Sequence, residues 1–292
     1  METYGSRTIK QRRRRTRVEI EEIKAGLFDI LALQHPATVR GVFYQAVTRG
    51  LVAKTEAEYK RTVIRLLVVM RREGQLPYGW LADETRWMRK PASYASLADM
   101  LDQSAQLYRR ALWDAQPSYV EVWLEKEALS GAIYEVTAEW DVPLMPTRGY
   151  PSLSFIHQAA EAIASQAKPT TIYYLGDHDP SGVDIPRVIE RELRSMAPDV
   201  DLTFIRLGVT RDQIAEYNLP TRPTKVSDSR SKGFEGESVE VDAIPAPELR
   251  RLVGDAIACH VNPSDLQQIT LVEQAERETL SRMANLLAGS DT

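Results

Sequence analysis

Between residues 119 and 207 short apolar runs, rich in β-branched and aromatic residues, alternate with amphipathic stretches. This alternation constrains the fold more than any other feature. YVEVWL (119–124), VPLMPT (142–147), TTIYYLG (170–176) and DLTFIRL (201–207) read as strands. KEALSGAIYEVTAEW (126–140), SLSFIHQAAEAIASQA (152–167) and GVDIPRVIERELRSMA (182–197) read as the helices between them. Parallel neighbours need long crossovers, so a βαβαβαβ order predicts a parallel sheet with helices on its faces. Two further helices, near 246–260 and 264–287, close the chain. Residues 221–238, TRPTKVSDSRSKGFEGES, read as a low-order loop.

Function in an open parallel sheet gathers beyond the carboxyl ends of its strands, where strand order reverses. Glu125 directly follows the first strand, and Asp177 and Asp179 follow the third. If those strands are neighbours, three carboxylates converge on one edge. Their mutual repulsion in a partly dry crevice calls for a cation, and an oxygen-only set suits Mg²⁺ or Mn²⁺. Along an extended segment Asp177 and Asp179 share a side while His178 points away. The competing reading makes Asp177 a turn cap and Glu125 a helix cap. Glu127 competes with Glu125 as a ligand. Glu240 and Asp242 read chiefly as surface or helix-approach residues, with a second metal ligand as the lesser reading.

The first hundred residues follow a different pattern. RVEIEEIKAGLFDILAL (17–33) has helical apolar spacing and stops before Pro36. TVRGVFYQAVTRG (38–50) runs from a Thr cap to Gly50, and TEAEYKRTVIRLLVVMRREG (55–74) opens with Thr55 and Glu58 in capping-box spacing. QLPYGWLADETRWMRK (75–90) reads as a short hairpin. Three helices and a hairpin are the order of a winged-helix domain, whose third helix enters the DNA major groove. Lys60, Arg61 and Arg65 lie along that helix, and Trp80 and Trp87 read as packing residues. Ahead of it, residues 7–17 hold seven Lys/Arg and no acid, so Arg12, Arg13, Arg14 and Arg15 form either a solvated arm or an arm on phosphate. The reading divides the chain into a basic arm (1–17), a winged-helix domain (18–92), a connecting helix (93–116) and the sheet domain with its C-terminal helices (117–292).

VWLEKEALSG followed by GDHDPSGVDI resembles the Toprim domain, the Rossmann-like metal-binding domain of topoisomerases and primases. The Pro-Ser-Gly after the second Asp is closer to the version in the A subunit of DNA topoisomerase VI and its meiotic double-strand-break relative. PTRGYPSL (146–153) is similar to that family's Gly-Lys-Gly-Tyr-Pro stretch, with Arg148 in place of the Lys. Residues 206–220 and 240–253 look like its C-terminal segments, and RGVFYQAV (40–47) is similar to the helix bearing its DNA-attacking tyrosine.

The resemblance spans about residues 36–260 and makes Tyr44 the nucleophile. Arg40, one helical turn earlier, becomes a phosphate clamp. Glu125, Asp177 and Asp179 become the Mg²⁺ ligands, with Mn²⁺ as an alternative. It implies a homodimer that cuts double-stranded DNA with a 5′-phosphotyrosyl link, the tyrosine meeting the metal across the dimer. That family works with a separate ATP-hydrolysing B subunit. This chain has no Walker loop, so it either borrows an ATPase or acts without ATP. A Toprim nuclease using metal-activated water and a non-catalytic DNA-binding protein are the alternatives.

The remaining composition sets bounds. Net charge is −4, so any nucleic-acid contact must be local rather than global. A single cysteine, Cys259, excludes an internal disulfide and fits a reducing compartment. No run approaches the roughly 18 apolar residues of a membrane span, and the basic N-terminus lacks an apolar signal core. The expectation is a cytoplasmic, nucleoid-associated protein.

Overall fold

The computed structural model describes residues 15–81, 91–223, 234 and 237–289. Arg12, Arg13, Arg14 and Trp87, and most of the 221–238 loop, lie outside the described residues.

The N-terminal half is helical. Helix α1 (Arg17–Gln34) starts at a capping box in which Thr16 and Glu19 satisfy each other's backbone N–H groups. Helix α2 (Val39–Thr48) is capped by Thr38, and the chain leaves it through Gly50 at φ +71°. The third helical stretch is continuous from Glu56 to Arg72. It comprises α3 (Glu56–Glu58), a π-helical segment (Tyr59–Ile64) and α4 (Arg65–Arg72). Ile23, Leu27, Ile30 and Leu31 of α1 share a core with Val42 and Phe43 of α2 and with Val63, Leu66, Leu67 and Met70.

The expected hairpin differs where it is described. Residues 78–80 form a 3₁₀ turn, and Leu81 makes an isolated parallel bridge to Ala37. Pro77 and Gly79 favour that turn over a strand, and residues 82–90 lie outside the described residues. Trp80 packs as expected, stacked on His35 at 4.5 Å and tilted against Phe28.

The expected 93–116 helix is shorter. Helix α5 (Leu97–Leu107) is capped by Ser96 and stops at Tyr108, whose backbone turns extended (φ −59°, ψ 129°). Tyr108 and Arg110 bond instead to the C-terminal helix, and Trp113 donates its indole N–H to Trp140 O.

The second half forms a four-stranded, all-parallel sheet: β1 (Tyr119–Leu124), β2 (Leu144–Pro146), β3 (Thr170–Leu175) and β4 (Leu202–Gly208), in the order β2-β1-β3-β4. Helices α6 (Ser130–Glu139), α7 (Leu153–Ser165) and α8 (Pro180–Met196) are the crossovers. After β4 come α9 (Arg211–Glu216), α10 (Ala246–Ala258) and α11 (Pro263–Ala288). Every residue of β1 and β3 is buried, including Glu121, whose carboxylate accepts the Trp123 indole N–H at 2.7 Å. The chain winds from β1 outward to β2, then recrosses to β3, so the order reverses between β1 and β3. Leu124 pairs with Leu175, and the two strands therefore end side by side. No helix among the described residues is long and apolar enough to cross a membrane.

Candidate functional site

The paired ends of β1 and β3 put Glu125 beside the Gly176–Asp179 segment. Glu125 Oε2 accepts the backbone N–H of Asp177 at 2.9 Å. A Cβ on Gly176 would stand 2.6 Å from that same oxygen and 2.6 Å from the fully buried Tyr174 ring, which favours glycine there. A Cβ on Gly182 would come within 2.1 Å of Asp177 O, which explains the Gly two residues into α8. Asp179 is the N-cap of α8: its Oδ1 accepts from Gly182 N at 2.8 Å, with Pro180 in the first turn.

Residues 238–242 complete the cluster. Val239 pairs antiparallel with His178, and this brings Val241 N within 2.9 Å of Asp177 Oδ1. His178 consequently turns from the acids toward Phe234. Glu240 and Asp242 are not surface residues. Glu240 is 9% exposed and Asp242 2% exposed, because their segment is laid between the sheet edge and α2. Thr38 donates to Asp242 Oδ1 at 2.5 Å, so the cap residue of α2 also ties the two halves together.

Lys126 is the hub. Its ammonium lies 2.9 Å from Asp177 Oδ1, 3.0 Å from Glu240 Oε2 and 2.9 Å from Asp242 Oδ2. Burial works against its charge, but the three carboxylates outweigh burial and hold the ammonium above its ordinary pKa. From the other side, Arg222 reaches Glu240 Oε1 at 3.1 Å and Asp179 Oδ2 at 3.9 Å. Arg206 on β4 is the backbone clamp. It donates to the carbonyls of Gly176, Asp177, Gly182 and Val209, fixing the turn that carries the acids.

Helix α2 delivers the predicted tyrosine and arginine to this cluster. Tyr44 is 3% exposed, its ring lies near the Lys54 ammonium, and its phenol lies within reach of the charge of the Glu240 carboxylate. Burial and then the charge of Glu240 raise its pKa. Arg40 sits with Nε 3.7 Å from Glu240 Oε2, stacks over the Tyr59 ring at 3.8 Å and pairs with Glu56. Tyr44 and Arg40 therefore meet the acids within one chain, on a residue that the sequence reading had placed at the surface.

Other predicted residues lie apart from the cluster. Lys60, Arg61 and Arg65 are exposed along the third helical stretch, and Lys60 pairs with Glu56. Arg15 bonds to Glu58 and Thr62. Arg148 has a positive φ of 56° and pairs with Glu127, so Glu127 is engaged away from Glu125. Lys126 and Arg206 have no role in the sequence reading, and Glu240 and Asp242 figure there chiefly as surface residues. A usable signal was the second acid-x-acid pair, Glu240 and Asp242, matching Asp177 and Asp179 in spacing.

The donor chemistry suits a hard divalent cation in part. Glu125 forms no ion pair among the described residues, and burial followed by the charge of Asp177 pushes it up to about 7. The Tyr174 hydroxyl near it is buried without a hydrogen-bond partner among the described residues. Both features suit a site built for an added positive charge with water ligands. Among the described residues, however, no three acidic, His or Cys side chains are drawn into a ready coordination sphere. Lys126 already pairs with Asp177, Glu240 and Asp242. The chain matches no family model, and no curated protein matches it significantly in sequence.

Proposed function

We propose that this protein is a Mg²⁺-dependent DNA-cleaving transesterase of the topoisomerase VI A type, with Tyr44 as nucleophile and a homodimer as the cutting unit. The observation that carries the reading is the convergence of Tyr44 and Arg40 on the acids at the β1–β3 switch point, through Glu240. Attack by a phenol requires removal of a proton whose pKa burial has raised. The Glu240 carboxylate lies beside that phenol, and Lys126 and Arg40 outweigh its burial and hold its pKa below the ordinary glutamate value. A carboxylate held this low is a weak base toward a phenol, so proton transfer would need the cation and Arg40 to stabilise the phenolate. Arg40 can turn from Glu56 to a phosphate oxygen, an exchange its partly exposed position allows. Glu125, with Asp177 and Asp179 at the same strand edge, would hold the cation, which supplies charge stabilisation at the scissile phosphate. Lys60, Arg61 and Arg65 give an exposed basic face for the duplex.

A second reading is favoured by one observation: Tyr44 is 3% exposed and engaged internally, as a packing residue would be. In that reading metal-activated water cuts the DNA. One assay separates the two. Supercoiled plasmid is incubated with protein and Mg²⁺ or Mn²⁺, stopped with detergent, and resolved with and without protease digestion. The transesterase gives 5′ protein–DNA adducts that vanish in Tyr44→Phe. Cutting retained in Tyr44→Phe but lost in Asp177→Asn identifies the water reaction. Salt-sensitive binding with no cut product identifies a DNA-binding protein and rejects both.

A further inference from the structure

From the exposed face of α11 we infer a self-association surface, on which a second copy of this chain docks antiparallel to form a four-helix arm with the two α5 helices. The inference rests on the homodimer of the proposed cleavage reaction and names the face that pairs; a dimer held on another face would leave that reading standing. Helices α5 and α11 pack on each other, yet each contributes one buried residue, Ala105 and Ala284. Polar contacts fix one side of α11 to the end of α5: Tyr108 donates to Glu276 at 2.7 Å, and Arg277 donates to Tyr108 O at 2.6 Å. A helical pair with so little interior leaves part of its apolar surface uncovered.

That surface is organised. Val272, Ala275, Thr279, Met283 and Leu286 fall within about 80° of one another at 100° per residue, on a side of α11 away from α5. Val272 is 41% exposed, Met283 49% and Leu286 75%. The steps between these positions run three, four, four and three residues, a palindrome centred on Thr279. Such spacing is self-complementary under a two-fold axis through Thr279. Val272 then meets Leu286 of the second copy, and Ala275 meets Met283, small against large.

The flanking charges agree with the same axis. Glu278 and Arg282 are exposed beside the stripe. Glu278 accepts from Gln274 at 3.4 Å and Arg282 donates to Thr279 at 3.1 Å, and neither forms an ion pair among the described residues. The two-fold brings Arg282 to within about 3 Å, along the helix axis, of the level of Glu278 in the second copy. Both charges are thereby paired twice by one operation. The stripe is about 21 Å long, a small interface, so the association is of moderate strength and reversible on dilution.

Sedimentation velocity on the full chain across a wide concentration range tests this. Wild type shows a concentration-dependent monomer–dimer equilibrium, and Leu286→Asp shifts it to monomer. Glu278→Arg or Arg282→Glu alone weakens the dimer by about tenfold, since each places two like-charge contacts across the axis. The double reversal restores it to within a few-fold of wild type. Circular dichroism confirms that each variant keeps its helices. A protein monomeric at every concentration overturns the inference. So does a dimer whose dissociation constant is unchanged by the single reversals, which would put the contact on another face.

Discussion

The Lys126 ammonium sits 2.9 Å from Asp177 Oδ1, joining the residue that follows Glu125 at the end of β1 to the first acid beyond β3. Because Glu240 and Asp242 share the same ammonium, one cation offsets three carboxylates that are each at least nine-tenths buried. Removing it leaves Asp177 and Asp242 without a cation among the described residues, while Glu240 keeps Arg222 and Arg40. Lys126→Met should therefore cost about 3–5 kcal/mol, read from urea denaturation at neutral pH. Added Mg²⁺ should recover part of the loss, since the freed carboxylates then present oxygen ligands. A loss below about 1 kcal/mol, within the range of an exposed pair, would refute the hub role.

Gly182 tests the close approach of the two chain segments. Its hypothetical Cβ meets a backbone oxygen, Asp177 O, at 2.1 Å, which no rotamer change can relieve. Gly182→Ala should destabilise the protein by at least about 2–3 kcal/mol. The neighbouring Ser181→Ala serves as the helix-position control. Equal thermal stability for the two variants would show that the turn has room to relax.

Much of this architecture is legible in the sequence because its signals are local. The apolar runs ending at Leu124 and Leu175, the caps at Thr38 and Thr55, and the breaks at Gly50 and Gly74 give element type and approximate position. The adjacency of β1 and β3 was a condition of the sequence argument, and the strand order meets it. What was not legible depends on contacts distant in sequence. Glu240 and Asp242 are drawn in by the pairing of Val239 with His178, across a loop that carries no apolar period. Arg206 looks like any basic residue of a strand until its four carbonyl acceptors are in place. The 93–116 stretch reads as one helix because its propensity is uniform, whereas Tyr108 and Arg110 bond to α11.

Arg206 yields a prediction of its own. Burial lowers its pKa, and its donors reach four main-chain oxygens of the acid-bearing turn. A lysine can satisfy only a subset of these acceptors in that geometry. Arg206→Lys should lose about 2–4 kcal/mol of stability. It should also accelerate amide exchange at Asp177 and Val209, measured by hydrogen–deuterium exchange, while exchange in α1 and α2 stays at the wild-type rate. Uniform acceleration throughout the chain would assign Arg206 to global stability rather than to the turn.

Glu125 supplies a pH dependence with a defined direction. Burial and the adjacent Asp177 push its pKa up to about 7, against roughly 4.3 for a glutamate in an unfolded chain. Between those values the folded protein holds a proton that the unfolded chain has released. Its contribution to stability is therefore full below about pH 4, falls as pH rises through the interval, and levels off above about pH 7. Asp177 is raised too and adds a decline of the same sign, whereas Glu240 is lowered and opposes it. The informative quantity is thus the difference between wild type and Glu125→Gln, measured by denaturant unfolding at a series of pH values without divalent cations. The variant should gain on wild type by up to about 3 kcal/mol between pH 5 and pH 8. With Mg²⁺ present the wild type should recover stability at pH 8 more than at pH 6, because cation and proton compete for the same carboxylate. A pH-independent difference would mean that Glu125 is ionised throughout, and a Mg²⁺ effect equal at both pH values would place the bound cation away from Glu125.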